Sequence, residues 1–131
     1  MLEALGDPTQ FKDQFSRFRW HTNHASVALI DGRYEEAAAE FLCAFQFAPD
    51  HEKAHANRAH ALLLKEDSSA ALAACEESLT KFPNNTFLWS LLLNARQLLG
   101  EAEPERHLPE HLRDTPDLLF TRARLKDKRG D

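Results

Sequence analysis

Apolar side chains recur every three or four positions along most of this chain, which is the spacing of one face of an α-helix. Two such stripes follow one another in the first two thirds of the sequence, and each ends at a proline, Pro49 or Pro83. Proline inside a helix removes a backbone hydrogen bond and clashes with the preceding turn, so each helix is expected to stop there. The first stripe is Tyr34, Ala37, Ala38, Phe41, Ala44, Phe45 and Ala48, and the second is Ala71, Leu72, Cys75, Ser78, Leu79 and Phe82.

The sequence repeats itself with the period that separates these two prolines. When residues 18–51 are aligned with residues 52–85, seven of the 34 positions are identical. Such self-similarity is the mark of a protein built from stacked helical units. The identical pairs are His21/His55, Asn23/Asn57, Ala25/Ala59, Leu29/Leu63, Ala37/Ala71, Ala39/Ala73 and Pro49/Pro83.

The glycines give independent support for the period. Gly32 and Gly100 are separated by two full periods, and Gly130 follows slightly less than one period later. Each ends an apolar helical stretch, where glycine is favoured because it adopts a left-handed backbone without a Cβ clash. Glu66 holds this place in the second repeat, and Asp67 is expected to begin the next helix. Asp50 and Asn84, which follow the two prolines, are expected to cap the helices after them.

Each repeat is therefore predicted to be a pair of helices, the first ending at the glycine position and the second before a proline. In the third repeat Pro104 suits a first helical turn, but Pro109 would break a long helix. We therefore expect a short irregular helix over residues 105–113. The predicted organisation is an N-terminal helical extension (1–17), repeat 1 (18–51), repeat 2 (52–85), a third repeat with a degenerate second helix (86–115), and a partial fourth repeat or capping helix (116–131).

Outside the repeats, Asp7 and Pro8 are typical of a helix start, and Phe11, Phe15 and Phe18 follow at helical spacing. Either the first repeat helix extends back to Thr9 or a separate helix covers the end of the stack. At the other end, residues 116–131 are expected to form a helix that turns at Gly130. That helix either caps the array or belongs to a longer array of repeats.

The pattern resembles the tetratricopeptide repeat (TPR) family over residues 18–100. The resemblance implies an all-α fold, an α-solenoid of stacked antiparallel helix hairpins in a right-handed superhelix, with about six to eight helices. His21 and His55 depart from the family, which usually has tryptophan there. The matching residues are Ala25, Gly32, Tyr34, Ala37, Phe41, Ala44 and Pro49, then Ala59, Ala71, Ser78 and Pro83, then Trp89 and Gly100.

By this resemblance, the first helices line a concave groove that holds a protein or peptide partner. Asn23 and Asn57 recur one period apart, and an asparagine side chain can bond both the N–H and the C=O of an extended peptide. Alternatively, they bond neighbouring helices. The predicted groove residues are Arg19, Thr22, Asn23, Ser26, Lys53, Asn57, His60, Phe87, Ser90, Leu91 and Asn94.

Some TPR proteins bind a C-terminal carboxylate through a clamp of lysines, asparagines and an arginine. This sequence keeps one such place, Asn57, and departs at Thr22, Ser26, Phe87 and Leu91, so no carboxylate clamp is expected. An internal segment or a helix of a partner suits the mixed polar and apolar groove better.

The net charge of −5 and the pI near 5.8 disfavour a nucleic-acid partner, because binding phosphates requires a basic surface. The sequence has no apolar run long enough to predict a membrane span, and Met1–Gln10 has no apolar core of a secretory signal. Cys43 and Cys75 are therefore expected to be reduced, packed thiols, and the protein to be cytoplasmic. No cofactor or metal is expected.

Two histidine motifs raise the alternative of a zinc-dependent hydrolase. Residues 51–55 match H-E-x-x-H, with His51 and His55 as metal ligands and Glu52 as the base. This motif straddles the turn between two repeats, however, and no third ligand is apparent. Residues 107–111 match the reversed H-x-x-E-H pattern, but Pro109 disfavours the regular helix that it needs.

The sequence therefore favours a non-enzymatic protein-interaction module: a scaffold, an adaptor, a chaperone-like subunit, or the repeat part of a larger protein. The alternatives are a zinc hydrolase that uses His51 and His55, and an RNA-binding helical repeat. Stoichiometric zinc that is lost in the His55→Ala variant would favour the zinc hydrolase. Tight binding to random RNA at physiological salt would favour the RNA-binding repeat.

Overall fold

Every regular element is a helix within residues 13–130, the part of the chain that the computed structural model describes. The all-α class predicted from the sequence is confirmed for these residues. The chain divides into two compact units between Glu66 and Asp67. The first unit holds α1 (Gln14–Ile30), α2 (Tyr34–Phe45) and α3 (Glu52–Leu64), and the second holds α4 (Ser68–Lys81), α5 (Thr86–Leu98), two 3₁₀ helices (Pro104–His107 and Glu110–Leu112) and α6 (Pro116–Arg129).

Among the described α-helices, four begin at a side chain that accepts a hydrogen bond from the first turn. Asp67 does so for α4, as predicted, where its carboxylate accepts from the backbone N–H of Ala70 at 3.1 Å. The predicted caps Asp50 and Asn84 are wrong by one residue. His51 and Asn85 have the extended backbone that a cap requires, and their side chains accept from the first turns of α3 and α5.

The start of α1 lies at Asp13, whose carboxylate accepts hydrogen bonds from the backbone and side chain of Ser16. These bonds lower the pKa of Asp13. From Gln14 the helix runs without a break to Ile30, across the predicted boundary at residue 17. The predicted helix start at Asp7 and Pro8 lies outside the described residues.

Each first helix is followed by one residue in the left-handed backbone conformation. Gly32 has φ 77°, Gly100 has φ 96° and Gly130 has φ 79°, as predicted for these glycines, and Glu66 takes the same conformation with φ 62°. After α1 the N–H of Arg33 bonds to the carbonyl of Ala28 at 2.8 Å, so the turn satisfies a carbonyl that the helix leaves open.

The first unit is held together by small residues packed against aromatic ones. Ala25 of α1, Ala38 and Phe41 of α2, and Ala61 of α3 form one buried cluster. A second cluster joins Phe18 of α1, Ala44 of α2 and Ala54 of α3. Because the alanines bring the helix backbones close together, a larger side chain at these positions would not fit without displacing a helix.

The second unit is centred on α5, which packs against α4, α6 and the first 3₁₀ helix. Its leucines Leu88, Leu92 and Leu93 are almost completely buried. Polar contacts then fix α6 alongside it: the Thr86 hydroxyl donates to Asp117 at 2.7 Å. Further along, the hydroxyls of Ser90 and Thr121 lie 2.6 Å apart.

The irregular segment between α5 and α6 confirms that Pro109 interrupts the helix. Two short 3₁₀ helices replace the single short helix expected over residues 105–113, and Pro109 lies between them. Leu108 and Leu112 anchor the segment in the core. The buried Glu105 carboxylate accepts a hydrogen bond from Arg129 at 2.9 Å, which ties the segment to the last turn of α6.

Glu66 provides a test of the turn geometry. A left-handed backbone strains any side chain with a Cβ, so Glu66→Gly is expected to raise the free energy of unfolding by about 0.5–1 kcal/mol. The same replacement at Glu77, an exposed position inside α4, should lower it by about 1 kcal/mol. Urea denaturation followed by circular dichroism measures both. A loss of stability in Glu66→Gly would contradict the strained turn.

Candidate functional site

The predicted groove residues of α1 lie on its solvent side, with one exception. Arg19 and Asn23 are exposed and four positions apart, so they share one face of the helix. Within the described part of the chain, neither side chain has a hydrogen-bond partner. Ser26 is also exposed, and its hydroxyl donates to the backbone carbonyl of Thr22 at 3.1 Å. Thr22 itself is buried. The face therefore offers free donors and acceptors to a ligand.

The predicted residues of α3 lie at different depths. Lys53 is exposed, whereas Asn57 is 8% exposed and its amide Nδ2 has no hydrogen-bond partner in the described residues. Asn57 therefore differs from Asn23, its counterpart one period earlier, in being enclosed. His60 is half-buried beside Phe41, with ring centroids 5.9 Å apart, and burial lowers the pKa of its imidazole.

In the second unit, α6 engages two of the four predicted groove residues of α5. The Ser90 hydroxyl bonds to that of Thr121, and the Asn94 amide oxygen accepts from Arg124 at 3.0 Å. Leu91 is buried, and only Phe87 of this group is exposed. The polar groups of Ser90 and Asn94 therefore serve the packing of this unit.

The H-E-x-x-H motif has an architectural role in the structure. The His51 Nδ1 accepts a hydrogen bond from the backbone N–H of Lys53 at 3.2 Å, which caps α3. His55 is 1% exposed, and its Nε2 donates to the carbonyl of Pro49 at 2.6 Å. That bond holds the proline turn against the first turn of α3. His55 is thus enclosed, and its Nε2 proton is used in holding this turn.

The reversed motif is divided between the two 3₁₀ helices. The His107 Nε2 lies 3.8 Å from a Glu101 carboxylate oxygen, and the His111 Nε2 donates to the side-chain oxygen of Asn84 at 2.9 Å. In the described residues no three histidine, cysteine or acidic side chains are arranged to hold a metal ion.

The contacts of His21 and His24 with Glu40 and Cys43, a partly buried polar row between α1 and α2, were not predicted from the sequence. The His21 Nδ1 donates to Glu40 at 2.8 Å, and its Nε2 lies 3.7 Å from the Cys43 sulfur. His24 lies 3.4 Å from the same carboxylate. The signal in the sequence is that Glu40 and Cys43 are three positions apart, on one face of α2.

Burial, together with the charge of Glu40, raises the pKa of the Cys43 thiol. The proton therefore stays on sulfur at neutral pH, which makes Cys43 a poor nucleophile. Cys75 is completely buried. The two cysteines are not joined in a disulfide, as predicted.

Comparison of the sequence with models of known protein families found no match. A search of curated proteins found none either. No helix among residues 13–130 has the length and the apolar character needed to cross a bilayer.

His55 tests the architectural role of the first motif. We expect His55→Ala to lower the free energy of unfolding by about 2–4 kcal/mol, because it removes a buried ring and leaves the Pro49 carbonyl unpaired. His51→Ala, which removes only a cap, should cost about 1 kcal/mol. Urea denaturation measures both. If the purified protein holds one zinc ion that His55→Ala abolishes, the architectural role is wrong.

His60 makes stability depend on pH. Because burial lowers its pKa below the ordinary value of 6.5, the unfolded chain takes up this proton first as the pH falls. The contribution of His60 to stability is therefore present above about pH 6.5 and is lost below it. We expect His60→Gln to reduce the loss of stability between pH 7.5 and 5.5, measured by urea denaturation. His107→Gln, at an exposed position, is the control, and an equal loss in wild type and His60→Gln would contradict the assignment.

Proposed function

We propose that this chain is a TPR-like protein-interaction module whose hairpins stack into a right-handed superhelix. In this proposal the first helix of each repeat lines the concave side, where a segment of a partner protein binds. The support is the spacing of the left-handed turns at Gly32, Glu66 and Gly100, which follow α1, α3 and α5 at intervals of one sequence period. Stacked repeats present an extended surface, and binding is the common use of such surfaces.

The observation that carries the proposal is the face of α1 formed by Arg19 and Asn23. Both side chains are exposed, and neither bonds to any other described residue. A free amide can donate to one peptide group and accept from another, so it binds extended backbone whatever the side chains of the partner. The amide Nδ2 of Asn57 also lacks a partner among the described residues, but it has almost no accessible surface, so the proposal rests on the face of α1.

The chemistry of this surface favours an internal peptide segment or a helix over a free C-terminus. Holding a terminal carboxylate requires several cationic or amide donors around one point. Of the predicted groove residues, Thr22 and Leu91 are buried, and Phe87 presents an exposed aromatic ring. A partner with alternating polar and apolar groups matches this surface better.

Two cysteines outside any disulfide suit a reducing compartment, and we propose the cytoplasm.

Affinity capture followed by titration of the purified partner tests the proposal. We expect Asn23→Ala to raise the Kd about 3- to 10-fold, the value of one or two neutral hydrogen bonds. Arg19→Ala should weaken binding further. The change should lie mostly in the dissociation rate, measured by biolayer interferometry.

Gln46→Ala is the matched control, because it also removes an exposed amide, at the C-terminal end of α2. It should leave the Kd unchanged. If the partner binds the Asn23→Ala and Arg19→Ala variants as tightly as wild type, the first helices do not form the binding surface.

A further inference from the structure

A pocket of about 280 Å³ lies within the second unit, formed by α4, α5 and the first 3₁₀ helix. Leu79, Trp89 and Leu92 supply its apolar walls, and Arg96 and His107 supply polar groups. None of these residues belongs to the proposed groove. A volume of this size accommodates one apolar side chain together with the adjoining peptide group.

The Arg96 side chain is largely buried, with 19% exposed, yet its donors are not satisfied. Its Nη1 is enclosed and has no hydrogen-bond partner in the described part of the chain. Its Nε lies 3.6 Å from a Glu101 oxygen and its Nη2 lies 3.9 Å from a Glu76 oxygen, both beyond hydrogen-bond length. Nη1 has almost no accessible surface, so an acceptor in the pocket would bond to Nε or Nη2, whose donors the two glutamates do not engage in hydrogen bonds.

The repeat register explains why the pocket is open. Trp89 occupies the place of His21 in the first unit, where Glu40 and Cys43 of α2 and the stacked ring of Phe47 cover the imidazole. In the third repeat the two 3₁₀ helices stand in place of a regular second helix, and Trp89 stays half-exposed. Its indole N–H donates to the carbonyl of Pro83 at 2.8 Å, which holds the ring at the pocket wall.

The charges around Arg96 select the kind of acceptor. Glu76 and Glu101 flank the guanidinium, so its positive charge is already balanced. An incoming carboxylate would form an ion pair with Arg96, but the negative charges of Glu76 and Glu101 would repel it. A neutral carbonyl gains the hydrogen bonds without that repulsion.

We propose that this pocket binds an uncharged segment of a partner protein. A branched apolar side chain packs on Leu79, Trp89 and Leu92, and the backbone carbonyl beside it accepts a hydrogen bond from Arg96. This is a second binding site, and it does not depend on the proposed groove.

N-acetyl-L-leucinamide is a suitable probe, because it carries the apolar side chain and neutral carbonyls. In ¹H–¹⁵N spectra we expect saturable shifts of the Trp89 indole N–H and the Arg96 Nε–H, with a Kd in the millimolar range that ligand efficiencies of small fragments predict. N-acetyl-L-leucine, which is a carboxylate at neutral pH, should bind several-fold more weakly. This comparison needs only the wild-type protein.

Arg96→Met keeps the length of the side chain but removes its donors, and it should weaken the amide probe about tenfold. Arg106→Met, at an exposed position, should not change the binding of the probe, and the indole of Trp20 in the first unit should not shift. Absence of saturable shifts at Trp89, equal binding by Arg96→Met, or tighter binding of the carboxylate would each overturn the proposal.

Discussion

A single left-handed residue ends the first helix of each repeat, and in the first unit the packing of α2 against α1 depends on it. That residue turns the chain away from the helix axis, and in the same step its neighbours bond to the open carbonyls of the helix end. Arg33 after α1 and Glu101 after α5 make the same backbone bond, to Ala28 and to Arg96. The turn is therefore complete in its local hydrogen bonds, and in the first unit α2 packs against α1 directly after it.

Much of the fold follows from local rules that the sequence displays directly. The turn glycines, the prolines that end helices and the alanine stripes depend on backbone sterics and on helical periodicity, which act over short stretches of chain. The left-handed conformation of Glu66 was predictable only because the period assigns it a glycine place. The caps at His51 and Asn85 were missed because Asp50 is a better capping residue than His51 and Asn84 is as good as Asn85, while the choice depends on where the backbone becomes extended.

The candidate sites were less predictable, because burial and pairing are decided between helices. Asn23 and Asn57 are equivalent in sequence, yet one is exposed and the other enclosed. The contacts that engage Ser90 and Asn94 come from α6, which lies far along the chain from α5, and no periodicity specifies them. The open donors of Arg96 likewise result from the replacement of a helix by two short turns. Irregularity in one unit thus provides a pocket that a perfect repeat would have filled.

The ion pair between Glu105 and Arg129 has a consequence for how the second unit opens. The last turn of a helix normally frays, since its carbonyls lack partners. Here the Arg129 guanidinium also donates to the carbonyl of Ala102 at 3.1 Å, and Arg113 donates to the carbonyl of Glu105 at 3.0 Å. Breaking the bonds of Arg129 leaves the buried Glu105 carboxylate without its counter-charge. The two 3₁₀ turns and the end of α6 should therefore exchange their amide hydrogens as one cooperative element rather than as independently fraying ends.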